Sequence, residues 1–474
     1  MKVLLINPGT EIIYTNKSKN LTIDEFVLSK SFLPPLGLLY IGSSLEEEGC
    51  KVGFIDYYCE KNPEEKIKKS LLSIDAVGLG VYNRTKKISD EITKMIKDID
   101  PDIKIIIGGP NCTSLPEKTL EDIPSADICV QGEGEYVIKE IMKSLNGEKN
   151  LSKINGVYYR KNGEIKRGKT SEVIKDLDSL PYPARHLVDK YSYGLINDIP
   201  YYKQKFTAMI SSRGCPFKCR FCSRDSMVMK TYRERSAENV VKEIQILDEK
   251  YGSVIIYDEN FLANRKKVLE IMDRLIEIGT DIELHITGAR VDSADKVLYK
   301  KLKKANVKSI EYGFESGNQD VLDFYNKKIT LDQIKFTTHL ADKMGFMITG
   351  SFIFGAPIET ERHINNTIQF AKSLPLDIVF FIPLTYIYGS DLWYEAEKNG
   401  KISLDDGFFV LSDKNKGLGN FTKEELEMFC KKATKIYYTR PRYFFRKIFS
   451  LFKRRDYRFF LINLKTLKSM LLNN

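Results

Sequence analysis

Short apolar runs alternate with amphipathic stretches along most of this chain, in two series. In the first series the strand-like runs are Val3–Ile6, Val52–Ile55, Ala76–Val81, Ile103–Ile107 and Ile128–Val130. Helix-period stretches fill the gaps at Gly37–Glu48, Glu64–Leu72, Lys86–Ile99 and Tyr136–Leu145. The alternation resumes with Ala208–Ser211, Val254–Tyr257, Ile282–Thr287, Ser309–Tyr312, Met347–Phe354 and Ile378–Pro383, again with helical stretches between. Apolar strands separated by helices must be covered on both faces, which restricts the fold to parallel α/β sheets.

The first series predicts a doubly wound, flavodoxin-like Rossmann domain over residues 1–147. The second predicts a partial, open (β/α)6 barrel over 201–400. Residues 148–200 read as a linker with a hairpin at Asn155–Lys166, turning at Asn162-Gly163, followed by an extended Leu177–Pro183. Residues 401–474 read as a helical, basic extension. In both sheet types ligands bind beyond the C-terminal ends of the strands. There Gly108-Gly109-Pro110 and Gly132-Glu133-Gly134-Glu135 are either ligand-approach turns or ordinary tight turns. The connection from Gly9 to Pro35 is longer than such units usually carry.

The first strand of the second series runs into Arg213-Gly214-Cys215-Pro216-Phe217-Lys218-Cys219-Arg220-Phe221-Cys222. Its C-x3-C-x2-C spacing puts three thiolates on one loop, enough for three irons of a cubane cluster whose fourth iron stays open. A zinc knot needs a fourth ligand, but the neighbouring histidines are His186 and His285 and the next cysteine is Cys430. A disulfide with a spare thiol is the remaining option. The chain has eight cysteines in 474 residues, which is not a disulfide scaffold and fits a reducing cytoplasm.

Polar residues gather at the other strand ends of the second series: Asp258-Glu259-Asn260-Phe261, Gly288-Ala289-Arg290-Val291-Asp292, Gly313-Phe314-Glu315-Ser316-Gly317, Gly355-Ala356-Pro357 with Glu359-Thr360, and Tyr388-Gly389-Ser390. The cysteine loop, with aromatic Phe221 before its third cysteine, resembles the radical SAM superfamily. That resemblance implies a 4Fe-4S cluster on Cys215, Cys219 and Cys222, with S-adenosylmethionine chelating the open iron. An electron from the cluster then cleaves the sulfonium to a 5′-deoxyadenosyl radical. Phe221, Asp258, Glu259, Arg290, Glu315 and Ser316 are the expected S-adenosylmethionine contacts. The strand-end runs are similar to the cobalamin-binding branch, which includes class B methyltransferases and the anaerobic porphyrin cyclase. Gly108, Gly109, Pro110, Gly132, Glu133 and Gly134 become the expected cobalamin contacts, without an axial histidine, because the first histidine is His186. One departure is Tyr388-Gly389-Ser390, where the family has Pro-Gly-Thr.

The resemblance implies an enzyme that transfers a methyl group to an unactivated carbon of a small molecule or lipid. A non-methylating radical cyclase or rearrangement enzyme is the alternative, and a non-enzymatic cobalamin or cluster sensor another. The catalytic residues themselves stay unassigned. Methylthiolation of tRNA asks for three ligand cysteines in the first domain, where Cys50, Cys59, Cys112 and Cys129 stand, and for an RNA-binding β-barrel that the tail does not resemble; nucleic acid is not an expected partner. An electron donor such as flavodoxin or ferredoxin is expected. Net charge is +10, and residues 431–474 carry thirteen Lys and Arg against the single acid Asp456. That tail reads as a helix packed on the barrel with a solvated basic face, or as a membrane-surface element. Met1–Pro8 reads as a buried strand, not a signal peptide, so the expected location is cytoplasmic, with peripheral membrane contact through the tail as the variant.

Overall fold

The computed structural model describes residues 1–9, 33–196, 199–224 and 231–454. The connection expected to be unusually long, and the tail beyond 454, lie outside the described residues in whole or in greater part. The chain divides into two compact units, one of residues 1–196 and one holding most of the remainder.

In the first unit five parallel strands are β1 (Lys2–Asn7), β2 (Lys51–Asp56), β3 (Ala76–Gly80), β4 (Lys104–Gly108) and β5 (Ile128–Val130). Helices α1 (Leu36–Glu47), α2 (Pro63–Ser70), α3 (Lys86–Ile99), α4 (Pro110–Ser114), α5 (Pro116–Asp122) and α6 (Glu135–Leu145) lie between and after them. The order β2-β1-β3-β4-β5 is that of a doubly wound flavodoxin-like sheet. Ile6, Val77, Leu79, Ile105 and Ile107 are buried, as strands covered on both faces require. The sheet is longer than the five expected strands. The hairpin β6 (Val157–Lys161) and β7 (Glu164–Arg167) pairs antiparallel onto β5 and caps that edge. Its turn is Asn162-Gly163, both with positive φ, as the Asn-Gly pair predicts. The connector is also tied back: Tyr193 donates from its hydroxyl to buried Asp56 at 2.8 Å. Within the expected extended segment, Leu177–Ser179 makes one 3-10 turn because the Asp176 carboxylate accepts from the Asp178 amide at 3.0 Å.

The second unit is an open six-stranded parallel sheet in sequential order: β8 (Phe206–Met209), β9 (Ser253–Ile256), β10 (Glu283–Ala289), β11 (Val307–Glu315), β12 (Met347–Phe354) and β13 (Ile378–Pro383). Helices α7 (Ala237–Asp248), α8 (Arg265–Ile278), α9 (Lys296–Lys304), α10 (Gln319–Phe324), α11 (Leu331–Lys343) and α12 (Glu361–Ser373) supply the crossovers. This is the expected partial (β/α)6 barrel. Beyond β13 come β14 (Thr385–Ile387), α13 (Asp391–Lys398) and β15 (Phe409–Leu411), with β14 and β15 paired antiparallel. Helix α14 (Lys423–Tyr438) covers the free edge of β13: the Tyr438 hydroxyl accepts from the Val379 amide at 3.0 Å and donates to the Val379 carbonyl at 3.2 Å.

The basic helix α15 (Pro441–Arg454) packs differently from the expected lid with a solvated basic face. Two of its cations point inward. Arg446 meets Asp342 at 3.0 Å and Lys447 meets Asp377 at 3.3 Å, beside the N-terminal end of β13. Phe444, Phe445 and Phe449 are exposed instead. Among the described residues no helix is long and apolar enough to cross a membrane.

Candidate functional site

The cysteine loop springs from the C-terminal end of β8, and its base is fixed by acids on the neighbouring strand. Both carboxylate oxygens of Asp258, just beyond β9, are engaged there. They accept from the Ser211 amide at 2.7 Å, the Ser211 hydroxyl at 2.6 Å and the Ser212 hydroxyl at 2.7 Å. Burial raises the Asp258 pKa, and these hydrogen bonds pull it back. Glu259 accepts from the Gly214 amide at 3.1 Å, one residue before the first cysteine. Ser212–Arg213 also pairs antiparallel with Arg233–Glu234, which closes the segment that carries the thiols. Gly288 lets this happen: its φ is +60°, and a Cβ there would lie 2.3 Å from the Asp258 carbonyl oxygen.

The far side of the loop is held by the turn after α10. The Arg220 amide donates to the Tyr325 carbonyl at 3.0 Å, and the Asn326 amide side chain donates to the Lys218 carbonyl at 2.7 Å. Phe221 packs edge-on against Tyr325 with ring centroids 5.1 Å apart. The Leu392 amide donates to the Arg220 carbonyl at 3.0 Å, so the departing Tyr388-Gly389-Ser390 segment and the start of α13 also reach the cysteine loop. None of these partners is within 100 positions of the loop; no motif announces Tyr325 and Asn326, whereas Leu392 closes the strand-end run that begins at Tyr388.

Two cations stand against the loop's aromatic residues. The Arg290 guanidinium lies 3.6 Å from the Phe217 ring centroid and is oriented by Asp292, at 3.0–3.3 Å, and by the Lys327 carbonyl at 2.7 Å. Lys327 is buried; its ammonium pairs with Glu315 at 2.5 Å and sits 5.9 Å from the Phe221 ring. Glu315 itself has φ +67°. Burial pushes the Cys219 thiol up, while Lys327 and then Arg290 pull it down. Cys215 and Cys219 are half-buried, and Cys222 is exposed. Among the described residues no three His, Cys, Asp or Glu side chains already converge as a metal site.

The donor set still fits the expected groups. Lys327 and Arg290 act on the Cys219 thiol, and Lys327 on Cys222, as cations that favour thiolate. Buried polar atoms nearby in the strand-end runs lack a hydrogen-bond partner among the described residues: Nδ2 and Oδ1 of Asn260, Nη1 of Arg290 and Oε1 of Glu359. Such atoms are rarely left unmet in a native protein, and an amino-acid-bearing nucleoside has groups for them. Glu359 uses its other oxygen on the Gly355 amide at 2.6 Å and the Ala356 amide at 2.8 Å; burial lifts its pKa to about 7. Ser316, by contrast, is turned into the protein: its hydroxyl accepts from the Asn318 amide at 3.2 Å and meets the Thr367 hydroxyl at 3.3 Å.

In the first unit, Thr113 of α4 stitches the two glycine turns together. Its hydroxyl donates to the Gly109 carbonyl at 3.0 Å and accepts from the Gly132 amide at 3.2 Å. Gly109 has φ +103° and lies so close to Val81 that a Cβ would meet its carbonyl oxygen at 3.1 Å, whereas a Cβ on Gly108 would meet nothing. The Glu133 carboxylate accepts from the Ile174 amide at 2.6 Å. The edge is therefore smooth, fixed and open beside Gly108, with Asn111 Oδ1 buried and unmet among the described residues, which suits a large flat ligand. Cys112 and Cys129 sit in the apolar core of this unit. His186 is exposed and pairs with Glu46 at 2.8 Å.

Three comparisons place this architecture. Residues 209–371 match the Radical SAM superfamily and residues 27–142 match the B12 binding domain. An uncharacterised methyltransferase of Pyrococcus horikoshii is 32% identical over 95% of this chain and 95% of its own length. The anaerobic magnesium-protoporphyrin IX monomethyl ester cyclase of Cereibacter sphaeroides is 27% identical over 71% of this chain and 56% of its own. The structure of the cobalamin-dependent S-adenosylmethionine radical enzyme OxsB, with aqua-cobalamin and S-adenosylmethionine bound, superposes at TM-score 0.71. It is 20% identical, over 97% of this chain and 72% of that one. The chain belongs to the radical SAM superfamily, in the branch that also carries a B12-binding domain. It is an enzyme, and its cofactors are a 4Fe-4S cluster, S-adenosylmethionine and cobalamin.

Proposed function

We propose that this enzyme methylates an unactivated carbon of a small-molecule or lipid substrate, with Cys215, Cys219 and Cys222 as its cluster ligands. The observation that carries the ligand assignment is the loop itself: three cysteines on a segment whose backbone is held between Glu259 and the Tyr325–Asn326 turn, with Arg290 against Phe217 and Lys327 beside Phe221. When bound, the cluster and S-adenosylmethionine supply one-electron chemistry, and cobalamin supplies a methyl carrier. Glu259, Asn260, Arg290 and Glu315 are the side chains we assign to the polar groups of S-adenosylmethionine, with Phe221 as an apolar wall. Asp258 and Ser316 act as supports, because their polar atoms hold the protein's own turns. Gly108, Gly109, Pro110, Gly132, Glu133 and Gly134 form the cobalamin edge, with Glu133 fixing its turn from behind. A low-potential donor of the flavodoxin or ferredoxin type supplies electrons.

Anaerobic reconstitution with iron, sulfide and cobalamin, then dithionite and S-adenosylmethionine, tests the reading. S-adenosylhomocysteine formed alongside 5′-deoxyadenosine supports methyl transfer. Deoxyadenosine alone supports the second reading, a radical cyclisation, which the porphyrin cyclase similarity favours. A full iron complement in Cys219→Ala would remove the ligand assignment.

The outward face of α15 fits a peripheral contact with an anionic lipid layer. Phe444, Phe445 and Phe449 are exposed on a segment, residues 440–454, that has no acidic residue and carries four basic ones besides the inward-pointing Arg446 and Lys447. Phosphatidylserine vesicles should pellet the full chain, and changing all three phenylalanines to serine should weaken this severalfold. Equal binding by both proteins would argue against the contact.

A further inference from the structure

Four consecutive residues, Phe324-Tyr325-Asn326-Lys327, each contact the cysteine loop or the cation stacked on it. The Arg220 guanidinium lies 4.5 Å from the Phe324 ring centroid and donates to the Phe324 carbonyl at 3.2 Å. Tyr325 contributes its carbonyl to the Arg220 amide and its ring to Phe221. Asn326 reaches the Lys218 carbonyl. Lys327 receives Arg290 on its carbonyl and places its ammonium beside the Phe221 ring, one residue before Cys222. Asn326 and Lys328 have φ of +52° and +53°, so the backbone accepts left-handed geometry on both sides of Lys327 to hold it there. A buried lysine is costly unless paired, and Glu315 pairs it.

We propose that Lys327 is a positioning residue that sets the reduction potential of the cluster, with Glu315 as its counterweight and the Phe324–Lys327 turn as its mount. The proposal rests on the assignment of Cys215, Cys219 and Cys222 as cluster ligands. Reduction adds one electron, and hence one negative charge, drawn from an external low-potential donor; no proton is needed. A fixed cation nearby stabilises the more negative state, and burial keeps salt from screening it. Because Glu315 opposes Lys327, the two residues should move the potential in opposite directions.

The test is a dithionite titration of the reconstituted full-length protein without S-adenosylmethionine, followed by electron paramagnetic resonance, with iron counted per chain. Lys327→Met should lower the midpoint, so that the reduced-to-oxidised ratio at a fixed potential falls about tenfold, or 59 mV for a one-electron couple. Glu315→Gln should raise the midpoint. Lys327→Arg should restore most of the wild-type value, which a role in packing alone would not predict. If Lys327→Met loses iron, the Glu315→Gln and Lys327→Arg midpoints decide. Variants with full iron and unmoved midpoints, or shifts of the same sign, overturn the proposal. A wild-type protein that takes up no cluster overturns the ligand assignment beneath it.

Discussion

Glu359 shows how a single residue at a strand end becomes a measurable quantity. Its carboxylate ties the amides of Gly355 and Ala356 beyond β12 but is buried, and burial dominates, holding its pKa near 7. An unfolded glutamate titrates near 4.5. Between those values the folded chain binds more protons than the unfolded one, so this group makes stability fall as pH rises from about 4.5 to 7. Glu359→Gln keeps an oxygen for the two amides and removes the charge. Its advantage over wild type should be near zero at about pH 3.5, about 1 kcal/mol at pH 5 and at most about 3 kcal/mol at pH 8, read by urea denaturation. A pH-independent difference would show that Glu359 does not titrate in this range. The same residue scale marks the limit of motif reading. Asp258 and Glu315 stand where strand-end motifs put ligand contacts, yet the first holds two serines and the second a lysine. A motif gives the residue and its strand end; it does not give the partner its side chain has found. Lys327 carried no signal, because its meaning comes from Phe221 and Glu315, which only the fold brings close.

At the scale of elements, the strands of both sheets were legible because apolar runs between helical periods have few other uses. Met347–Phe354 and Ile378–Pro383 fall where the sequence puts them. Two short helices, Pro110–Ser114 and Pro116–Asp122, were not legible, since neither is long enough to show a period. The placement of α15 was hidden for another reason. Amphipathicity separates two faces but does not say which one a neighbour covers, and Asp342 and Asp377 draw Arg446 and Lys447 inward. The edges of the sheets were hidden as well. An open barrel leaves strand groups to satisfy, and Tyr438 meets both the amide and the carbonyl of Val379 with one hydroxyl. Tyr438→Phe should cost about 1–2 kcal/mol in urea denaturation while leaving the iron content of reconstituted protein unchanged. Lost iron in that variant would mean that the β13 edge and the cysteine loop are coupled.

The two proposed cofactor sites, one in each unit, share a physical plan: a parallel sheet whose strand ends carry the residues assigned to them. In the second unit the site is made by charged side chains and thiols. In the first it is made largely by backbone, with Gly108, Gly109 and Gly132 clearing the surface and Thr113 fixing the two turns. Such a site can bind cobalamin by shape but offers cobalt no imidazole. The chain has four histidines, and His186, the one in the first unit, pairs with Glu46 near the C-terminal end of α1. Helices between parallel strands run back across the sheet, so that end of α1 lies at the opposite edge from the turns after β4 and β5. His186→Ala should therefore leave both the stoichiometry and the absorption spectrum of bound cobalamin unchanged. Thr113→Val keeps the volume but loses both hydrogen bonds, so the turns loosen and affinity should fall about tenfold, equivalent to about 1.4 kcal/mol. A spectral shift on loss of His186 would require that histidine to reach cobalt, and the glycine-edge assignment would then be wrong. Unchanged affinity in Thr113→Val, with His186→Ala silent, would move the cobalamin site away from these two turns.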